Sequence, residues 1–534
     1  MATQPKINNS KIPSYVTRVT ETLEKVGFEV FLVGGCVRDL LIERNPKDWD
    51  VTTNAKPEEI IGLFKKTIYE NSFGTVGVCI PKEDIVTHVT MVENPNIVTH
   101  ETNTNVIQSN DKQADSVTHV TNNGENDIKY NIIEVTPYRI EAKYSDFRHP
   151  DEVKFSDKIE DDLKRRDFTI NSLALDNKGH IIDLYKGQED IKDKVIRAVG
   201  DAGERFNEDA LRMLRAVRFS TQLNFAIDYD TMMAIVNNAH LLKNISEERI
   251  RDEFVKIIES ENPSMGIAML SKLGLLKYII PELEEGIGCI QGGAHIYDVF
   301  EHLLQALEHS ANKGFSTEIR LAALFHDIGK PRSRRPGTKK EYTFYGHEVI
   351  GARMVQKIMD RLKFPKKTMD LVTIFVRNHM FFSDTEQISL SAVRRIVQKV
   401  GKDHIWQLME IRECDRVGMK KSEAPYRLRK YFAMIEEVLH DPISVGQLAI
   451  DGKYLMEVLH MKPGPRMGWI LHALLEEILD DPKKNTEEHL TELVKSLNML
   501  GDNELKTLGE RGKEEKEKKE EEEVEKLHKK HGVK

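Results

Sequence analysis

The sequence has little cysteine, no long apolar run and no apolar N-terminal segment. Its four cysteines are scattered over 534 residues without C-x-x-C spacing, which argues against a zinc knuckle and fits a reducing cytosol. No run of about 18 apolar residues occurs, so we expect no membrane span. The segment MATQPKINNSKIPS lacks the apolar core of a signal peptide. We therefore expect a cytoplasmic protein without a membrane partner.

Positive charge is also in deficit, since the formal net charge is −9. This balance does not exclude RNA as a partner, because locally clustered basic residues bind phosphates whatever the total charge. Residues 84–128 are rich in Asn, Thr and His and repeat V-T-H. They predict a low-complexity loop insertion, with a metal-binding His tract as the alternative. Residues 501–534 are highly charged and predict a disordered tail or a solvated single helix.

The chain is long enough for several domains. Residues 1–200 mix helical segments with short β-like runs at Glu29–Val33, Val76–Ile80, Ile132–Thr136 and Ile181–Leu184. From residue 201 onward the apolar periodicity is helical, with breaks at prolines. We therefore predict an α+β protein: a small head with a mixed sheet, followed by a mostly α-helical body.

The stretch FLVGGCVRDLLIERNPKDWDVTT, residues 31–53, carries the strongest chemical signal. A strand-like run ends at Gly34-Gly35, where a backbone without side chains can approach phosphates closely. Asp48 and Asp50 follow with one residue between them, so on a strand they would point to the same face. Two such carboxylates can hold divalent metal against a triphosphate. The stretch predicts a nucleotidyl-transfer site.

The arrangement GG-VRD-x8-DWD resembles the signature of the DNA-polymerase-β-like nucleotidyltransferases. More narrowly, it resembles the class II tRNA nucleotidyltransferases, the family of bacterial CCA-adding enzymes and poly(A) polymerases. RRDFTIN at 165–171 and the E-D-x-x-R pattern at 208–212 match further motifs in the same order. The resemblance implies addition of C, C and A to tRNA from CTP and ATP, with no DNA partner.

The resemblance also implies roles for individual residues. Asp48 and Asp50 would hold two Mg²⁺ ions, and Glu134 is the candidate third carboxylate, with an ordinary strand-edge Glu as the alternative. Gly35, Arg38 and Arg166 would contact the triphosphate. The implied domains are a polymerase-β-like head at 1–200, a neck at 201–270, a helical body with an HD domain at 271–441, a tRNA-binding tail at 442–500 and the charged tail at 501–534.

Asp209 and Arg212 predict how bases are chosen. At i and i+3 on a predicted helix they would share a face. Cytosine and adenine both present an amino donor beside a ring-nitrogen acceptor, which a carboxylate and a guanidinium can match. Uracil and guanine present the reverse pattern. The alternative is a surface salt bridge between Glu208 and Arg212. Arg215 and Arg218 continue the series toward the nucleotide or its phosphates, although one of them could be structural.

Three related activities share these motifs. Residues 139–155 resemble the flexible loop of CCA-adding and A-adding enzymes, and the stretch SFGTVGVCIP lacks the basic signature of the poly(A) polymerases. We therefore predict CCA addition, with A-only addition and poly(A) addition as alternatives.

A second constellation follows in the helical body, and it resembles the HD superfamily of metal-dependent phosphohydrolases. Imidazole and carboxylate ligands suit a transition metal such as Mn²⁺, Co²⁺, Ni²⁺ or Zn²⁺. An accessory phosphohydrolase is one interpretation and a degenerate scaffold the other. An alternative of a different class is an HD phosphohydrolase whose head only binds RNA. The candidate ligands are His302, His326, Asp327, His347, His379 and Asp415.

Overall fold

The computed structural model describes residues 11–70, 74–82, 129–141, 153–292, 295–337, 341–383, 388–419 and 425–510. The predicted insertion at 84–128, most of the predicted flexible loop and the last part of the charged tail lie outside these residues. The chain divides into two compact units, Met1–Glu253 with Lys272–Tyr278, and Phe254–Ser271 with Ile279–Lys534. Among the described residues, no helix combines the length and apolar character needed to cross a membrane.

The first unit contains a seven-stranded mixed sheet, which confirms the predicted α+β class. Its strand order is β3-β4-β5-β2-β1-β8-β9. Neighbours pair antiparallel except β2 and β5, which are parallel. The strands of this unit are β1 (Val30–Val33), β2 (Asp50–Thr53), β3 (Thr67–Glu70), β4 (Thr75–Pro81), β5 (Tyr130–Pro137), β6 (Arg139–Glu141), β7 (Val153–Phe155), β8 (Leu173–Leu175), β9 (Ile181–Asp183), β10 (Val195–Ile196) and β11 (Ala226–Ile227).

One face of the sheet carries the main core of the first unit. Alternate β-branched residues such as Val51, Val135 and Val78 point to this face and pack against apolar residues of the first helices. The polar residues Asp50 and Glu134 occupy opposite positions on β2 and β5. The helices of this unit are α1 (Ser14–Lys25), α2 (Gly35–Leu41), α3 (Pro57–Leu63), α4 (Ile159–Lys164), α5 (Gly187–Asp193), α6 (Ala202–Glu208), α7 (Leu211–Leu223) and α8 (Tyr229–Asn238), and α9 (Glu247–Ile258) continues into the second unit.

The described residues of the second unit are helices and loops apart from one two-stranded ribbon, β12 (Arg335–Pro336) with β13 (Tyr342–Thr343). Pro263 and Pro281, two of the prolines predicted as breaks, are the first residues of helices, where a missing N–H costs nothing. Its helices are α10 (Pro263–Lys272), α11 (Pro281–Glu284), α12 (Val299–Asn312), α13 (Thr317–Phe325), α14 (Lys330–Ser333), α15 (His347–Arg361), α16 (Lys366–Asn378), α17 (Leu390–Val400), α18 (Ile405–Asp415), α19 (Pro425–Leu439), α20 (Gly452–Glu457), α21 (Pro465–Asp480), α22 (Glu487–Leu497) and α23 (Asp502–Glu510).

Part of the predicted charged tail forms a helix, which was one of the two predicted alternatives. Residues 502–510 form α23, and Leu505 on it is fully buried. Arg466 of α21 pairs with Asp502 and donates to the carbonyl of Leu500. Buried Leu505 therefore anchors this helix despite its charged neighbours, rather than leaving it solvated.

Gly329 allows the chain after α13 to pass unusually close to α15. A Cβ at this position would lie 2.2 Å from the carbonyl oxygen of His347 and 2.6 Å from the backbone nitrogen of Gly351. Both are backbone atoms, so no side-chain rotation could relieve the clash. The glycine therefore sets how closely the segment around residues 326–329 approaches the first turns of α15.

We expect Gly329→Ala to destabilise the second unit by about 1–3 kcal/mol or more, because it overpacks a backbone contact. The midpoint of urea unfolding, followed by circular dichroism, measures the change. Gly468→Ala in α21 is the matched control, since nothing lies within 4 Å of its added methyl group. That variant should be neutral or slightly stabilised, because Ala favours a helix over Gly by about 1 kcal/mol. Equal midpoints for the two variants would contradict the packing argument.

Candidate active sites

Three carboxylates converge on the open face of the first unit's sheet. Asp50, the first residue of β2, lies in register with Glu134 on the parallel neighbour β5. Their neighbours Val51 and Val135 belong to the core, so Asp50 and Glu134 share the opposite face. Burial raises the pKa of Asp50, Arg166 lowers it and the charge of Asp48 raises it, which places both groups near the Asp50 carboxylate.

Asp48 lies in a bend before β2, not on the strand as predicted. The pairing of β2 with β1 runs from Thr53 to Val51, opposite Val30 to Leu32. Strand β1 then ends at Val33, where Gly34 turns the chain into α2, so β1 offers no partner for an extended residue 48. Trp49, which lies between the two carboxylates in the chain, is buried.

The donor set fits a divalent cation. Oxygen ligands of this kind suit Mg²⁺. Like charges that face one another at one site favour a bound cation, and Asp48 and Asp50 do so here. Asp48, Asp50 and Glu134 are therefore the residues that could hold Mg²⁺.

Gly34 has a stronger need to be glycine than Gly35, to which the predicted triphosphate contact was assigned. Its φ is +79°, and a Cβ there would lie 2.9 Å from Nη1 of Arg166 and 3.6 Å from Oδ2 of Asp50. At the predicted Gly35, a Cβ would make only an ordinary contact with Arg38, at 3.6 Å. Gly34 therefore lets a guanidinium and a carboxylate approach the same point of the backbone.

Buried anions hold the predicted arginines in place. Asp162, on α4, is fully buried and accepts from Arg165 at 2.5 Å and from Arg166 at 3.0 Å. Arg38 donates to Oδ1 of Asn171 at 2.7 Å. Sequence reasoning missed Asp162 and Asn171, although both lie in or beside the RRDFTIN stretch.

Asp167 is a second buried anion beside these arginines, and it pairs with Arg215 at 2.7 Å. Burial raises the pKa of Asp167, but the Arg215 guanidinium outweighs it and brings the pKa to about 2. Asp167 also accepts from the side chain of Asn171 at 3.2 Å. One chain of contacts therefore connects Arg38 to Arg215.

Arg218 lies in a more enclosed position than Arg215. Its Nε is 3.1 Å from Oε2 of Glu253, and its guanidinium lies 4.3 Å from the ring centroid of Phe219. Burial and the nearby charge of Arg215 lower its pKa to about 10. The alternative that one arginine of this series has a structural role therefore fits Arg218 best.

Asp209 and Arg212 do not share a helix face, so that prediction was wrong. Helix α6 ends at Glu208, and α7 begins at Leu211. Asp209 has extended backbone angles, φ −141° and ψ 103°. Its carboxylate accepts from the backbone N–H of Leu211 at 3.0 Å, a local bond that competes with helix continuation.

The two side chains have different partners. Asp209 accepts two bonds from Arg249 of α9, at 2.7 and 3.3 Å. Arg212 donates to Glu208 at 2.6 Å, which is the salt bridge weighed as the alternative, and to the carbonyl of Arg165 at 3.0 Å. They stay neighbours in the chain, since the N–H of Arg212 donates to the carbonyl of Asp209 at 3.1 Å.

The six candidate ligands of the second unit come together as two sets that share Asp327. On the Oδ2 side lie Nε2 of His302 at 3.5 Å and Nε2 of His326 at 3.3 Å. Asp415 joins this set, 3.3 Å from His326. On the Oδ1 side lie His347 at 3.2 Å and His379 at 3.6 Å. All six residues are buried.

Hydrogen bonds fix the direction of three imidazoles in this cluster. The Nδ1 atoms of His326, His347 and His379 lie 2.7–2.8 Å from backbone carbonyls, so they carry protons. In the neutral rings the Nε2 lone pairs then point inward. Nε2 of His347 and Nε2 of His379 are only 3.2 Å apart, and two lone pairs at this distance repel unless a cation lies near both.

The cluster therefore fits a metal. Both carboxylate oxygens of Asp327 are buried, and the Nε2 atoms of four imidazoles lie within 3.6 Å of them. A buried ionised carboxylate needs a compensating charge. Lys330, which sequence reasoning missed, supplies one from 2.5 Å and donates to Gln291 at 2.7 Å. Lys330 follows His326 and Asp327 in the stretch HDIGKP, and this position could have identified it from the sequence.

Comparisons with known proteins find matches over both regions of the chain. Three family models match: the poly A polymerase head domain at 30–115 and 81–197, the probable RNA and SrmB-binding site of polymerase A at 224–287, and the HD domain at 293–415. A CCA-adding enzyme of Lactobacillus delbrueckii subsp. bulgaricus is 44% identical over 89% of this chain and 96% of its own.

Two further comparisons are less close. An A-adding tRNA nucleotidyltransferase of Deinococcus radiodurans is 35% identical over 60% of this chain and 75% of its own. The solved structure of the Bacillus stearothermophilus CCA-adding enzyme in complex with CTP has a TM-score of 0.63 at 24% identity, covering 91% of this chain and 97% of its own. At this identity the structural likeness shows a shared fold.

Proposed function

Since the chain belongs to the family of the CCA-adding enzymes, we propose that it adds C, C and A to the 3′ end of tRNA from CTP and ATP, without a nucleic-acid template. The observation that supports this most directly is the register of Asp50 with Glu134, with Asp48, Arg38 and Arg166 nearby. We further propose that this takes place in the cytoplasm, and that residues 442–500 grip the tRNA by shape and phosphates.

The proposed chemistry needs positioning and charge neutralisation. Asp48 and Asp50 would hold the metal, together with Glu134. Two bound Mg²⁺ would lower the pKa of the RNA 3′-hydroxyl and neutralise the triphosphate charge. Arg38 and Arg166 bind the triphosphate oxygens, and their buried or polar anchors keep them from collapsing onto the carboxylates. The 3′-oxygen then attacks the α-phosphate and pyrophosphate leaves.

We assign base selection to Asp209, which lies in the break between α6 and α7, and to Arg212, which lies on α7. The carboxylate accepts from the amino group of cytosine or adenine, and the guanidinium donates to the adjacent ring nitrogen. With uracil or guanine, acceptor meets acceptor and donor meets donor. Each unpaired polar group in a desolvated pocket costs about 1–3 kcal/mol, which supplies the discrimination.

CCA addition is favoured over the narrower alternatives. The relative named an A-adding enzyme matches 60% of this chain, whereas the Lactobacillus delbrueckii CCA-adding enzyme matches 89%. A-only and poly(A) addition stay as outcomes that an incorporation assay separates.

A second activity is favoured by the Asp327 cluster: metal-dependent hydrolysis of a phosphoester. His302, His326, Asp327 and Asp415 would form one ligand set, and Asp327, His347 and His379 the other. A transition metal there would activate a water molecule. Lys330 offers a positive charge for a phosphate once a metal takes its place beside Asp327. Phosphates on damaged RNA 3′ ends, including 2′,3′-cyclic phosphates, are suitable substrates, since they block nucleotide addition.

The first prediction concerns the head carboxylates. Asp48→Ala with Asp50→Ala should abolish addition, because no ligands remain to hold metal against the triphosphate. The assay supplies tRNA ending at position 73, Mg²⁺ and each labelled nucleotide, and the wild type should add two C and then one A. Glu21→Gln, in an exposed pair with Lys25, is the control and should act like wild type. Full activity of the double variant would refute the proposed site.

The second prediction concerns selectivity. Asp209→Ala should lower the kcat/KM ratio of CTP over UTP about tenfold or more, since about 1.4 kcal/mol corresponds to a factor of ten. The rate with CTP itself should fall less than the ratio. Glu189→Ala, an exposed carboxylate of the same unit, is the control and should leave the ratio unchanged. A ratio in Asp209→Ala equal to that of the wild type would remove Asp209 from base selection.

The third prediction concerns the Asp327 cluster. Native mass spectrometry with Mn²⁺ should show up to two bound ions in the wild type, one fewer in His347→Ala and none in Asp327→Ala. Hydrolysis of a 2′,3′-cyclic phosphate should vanish in Asp327→Ala, while nucleotide addition persists. Asp370→Ala, in an exposed pair with Lys366, is the control. Metal bound without any hydrolysis by the wild type would identify the cluster as a scaffold.

A further inference from the structure

One aromatic ring of the first unit lies against three arginines of the proposed nucleotide site. The ring centroid of Phe219 is 4.3 Å from the guanidinium carbon of Arg218 and 5.3 Å from those of Arg38 and Arg215. A cation over the face of a ring, within about 6 Å of its centroid, is attracted by the negative charge of that face. Arg215 and Arg218 lie on α7 with Phe219, whereas Arg38 lies on α2. The ring therefore links the predicted triphosphate contact of Arg38 to the arginines of α7.

The Phe219 ring is packed in place and shielded from water. It is 6% exposed, and the ring of Phe168 packs edge-on against it, with centroids 5.8 Å apart and an interplanar angle of 83°. Attraction between a cation and a ring is stronger where both are desolvated, and the side chain of Arg38 is only 10% exposed. A shielded and packed ring therefore gives the guanidinium of Arg38 a fixed surface.

Arg38 gains this contact without using a hydrogen-bond donor. Its Nε and Nη2 donate to Oδ1 of Asp39 at 2.9 and 2.7 Å, and its Nη1 donates to Asn171 at 2.7 Å. A guanidinium has five N–H groups, so among the described residues these bonds leave two for a further acceptor. The donors lie in the guanidinium plane, whereas an aromatic ring is attracted to the cation as a whole. The ring therefore supports Arg38 and leaves two N–H groups for a triphosphate.

The three guanidiniums also repel one another. Burial and the charges of Arg215 and Arg38 lower the pKa of Arg218 to about 10, which shows that these charges interact. A carboxylate in the place of the ring would offset the repulsion, but it would also cancel positive charge that attracts a triphosphate. The ring of Phe219 attracts cations and carries no net charge. It therefore stabilises the arginines and preserves their positive charge.

We propose that Phe219 is a positioning residue for triphosphate binding, because its ring holds Arg38 beside Arg215 and Arg218 and keeps two of the Arg38 N–H groups available to the triphosphate. This inference rests on the proposed triphosphate contact of Arg38. All four nucleotides carry the same triphosphate, so loss of the ring should weaken their binding alike and leave the choice of base unchanged. The ring carries no group that takes part in the chemistry, so kcat should change less than KM.

The first test measures kcat and KM for CTP, ATP and UTP with full-length protein on tRNA ending at position 73 or after CC. Phe219→Leu removes the ring and should raise KM for CTP and for ATP by a similar factor, about tenfold, with the CTP-over-UTP ratio of kcat/KM unchanged. Phe225→Leu is the matched control, since Phe225 is also 6% exposed and takes part in none of the cation–π contacts of the described residues. It should keep both KM values. A wild-type KM for CTP in Phe219→Leu would overturn the inference.

A second test keeps the shape of the ring and changes its charge distribution. Phenylalanine analogues with one, two or three fluorine atoms are inserted at position 219, since each fluorine makes the face of the ring less negative. KM for CTP should rise with each added fluorine, and the same analogues at position 225 should give no trend. A ring that only fills space would keep the wild-type KM throughout the series, even where Phe219→Leu is impaired, and that result would overturn the inference.

Arg38→Gln separates this inference from the proposed function. It should raise KM for CTP and ATP, and the double variant Phe219→Leu with Arg38→Gln should have nearly the KM of Arg38→Gln alone. If Arg38→Gln keeps the wild-type KM, the triphosphate contact of Arg38 fails and the role of Phe219 fails with it. If Arg38→Gln raises KM and neither Phe219→Leu nor the fluorinated series does, only the inference on Phe219 is overturned.

Discussion

The parallel pairing of β2 with β5 is the constraint on which the first site depends. It is the one parallel pair in the seven-stranded sheet, and it brings Asp50 level with Glu134 from distant parts of the chain. The antiparallel pairing of β4 with β5 fixes this register a second time from the other side. A shift of one residue would move Glu134 to the core face and bring a valine or an isoleucine in its place.

The two sites use opposite means of attracting cations. In the head, oxygen ligands lie on an open sheet face, and the positive charges nearby are anchored by buried Asp162 and Asp167. In the second unit, imidazoles and carboxylates are buried together, with tautomers fixed by backbone carbonyls. Hard oxygen donors suit Mg²⁺, whereas mixed nitrogen and oxygen donors suit transition metals. Under the proposed roles, ligand chemistry alone would separate two kinds of ion within one chain.

Much of the fold and of both ligand sets was predictable from the sequence, because short-range motifs carry them. The β-like runs became strands, and all six ligands around Asp327 meet in space. The failures came where spacing was translated directly into geometry. Asp48 lies outside the predicted strand because β1 offers no partner there. Asp209 lies outside the predicted helix because its side chain accepts from the N–H of Leu211. Arg249 was missed because a residue 40 positions away gives no local signal.

The dipeptide Arg165-Arg166 has a consequence for how a nucleotide is measured. The carbonyl of Arg165 accepts from Arg212, and the next residue, Arg166, extends its side chain toward Gly34 and Asp50. Under the proposed roles, the side chains that contact the base and the triphosphate are therefore anchored at consecutive residues. Their reach depends on the rotamers of Arg212 and Arg166, since each side chain has several rotatable bonds. A change of rotamer at either arginine would alter the length of nucleotide that fits between the two contacts.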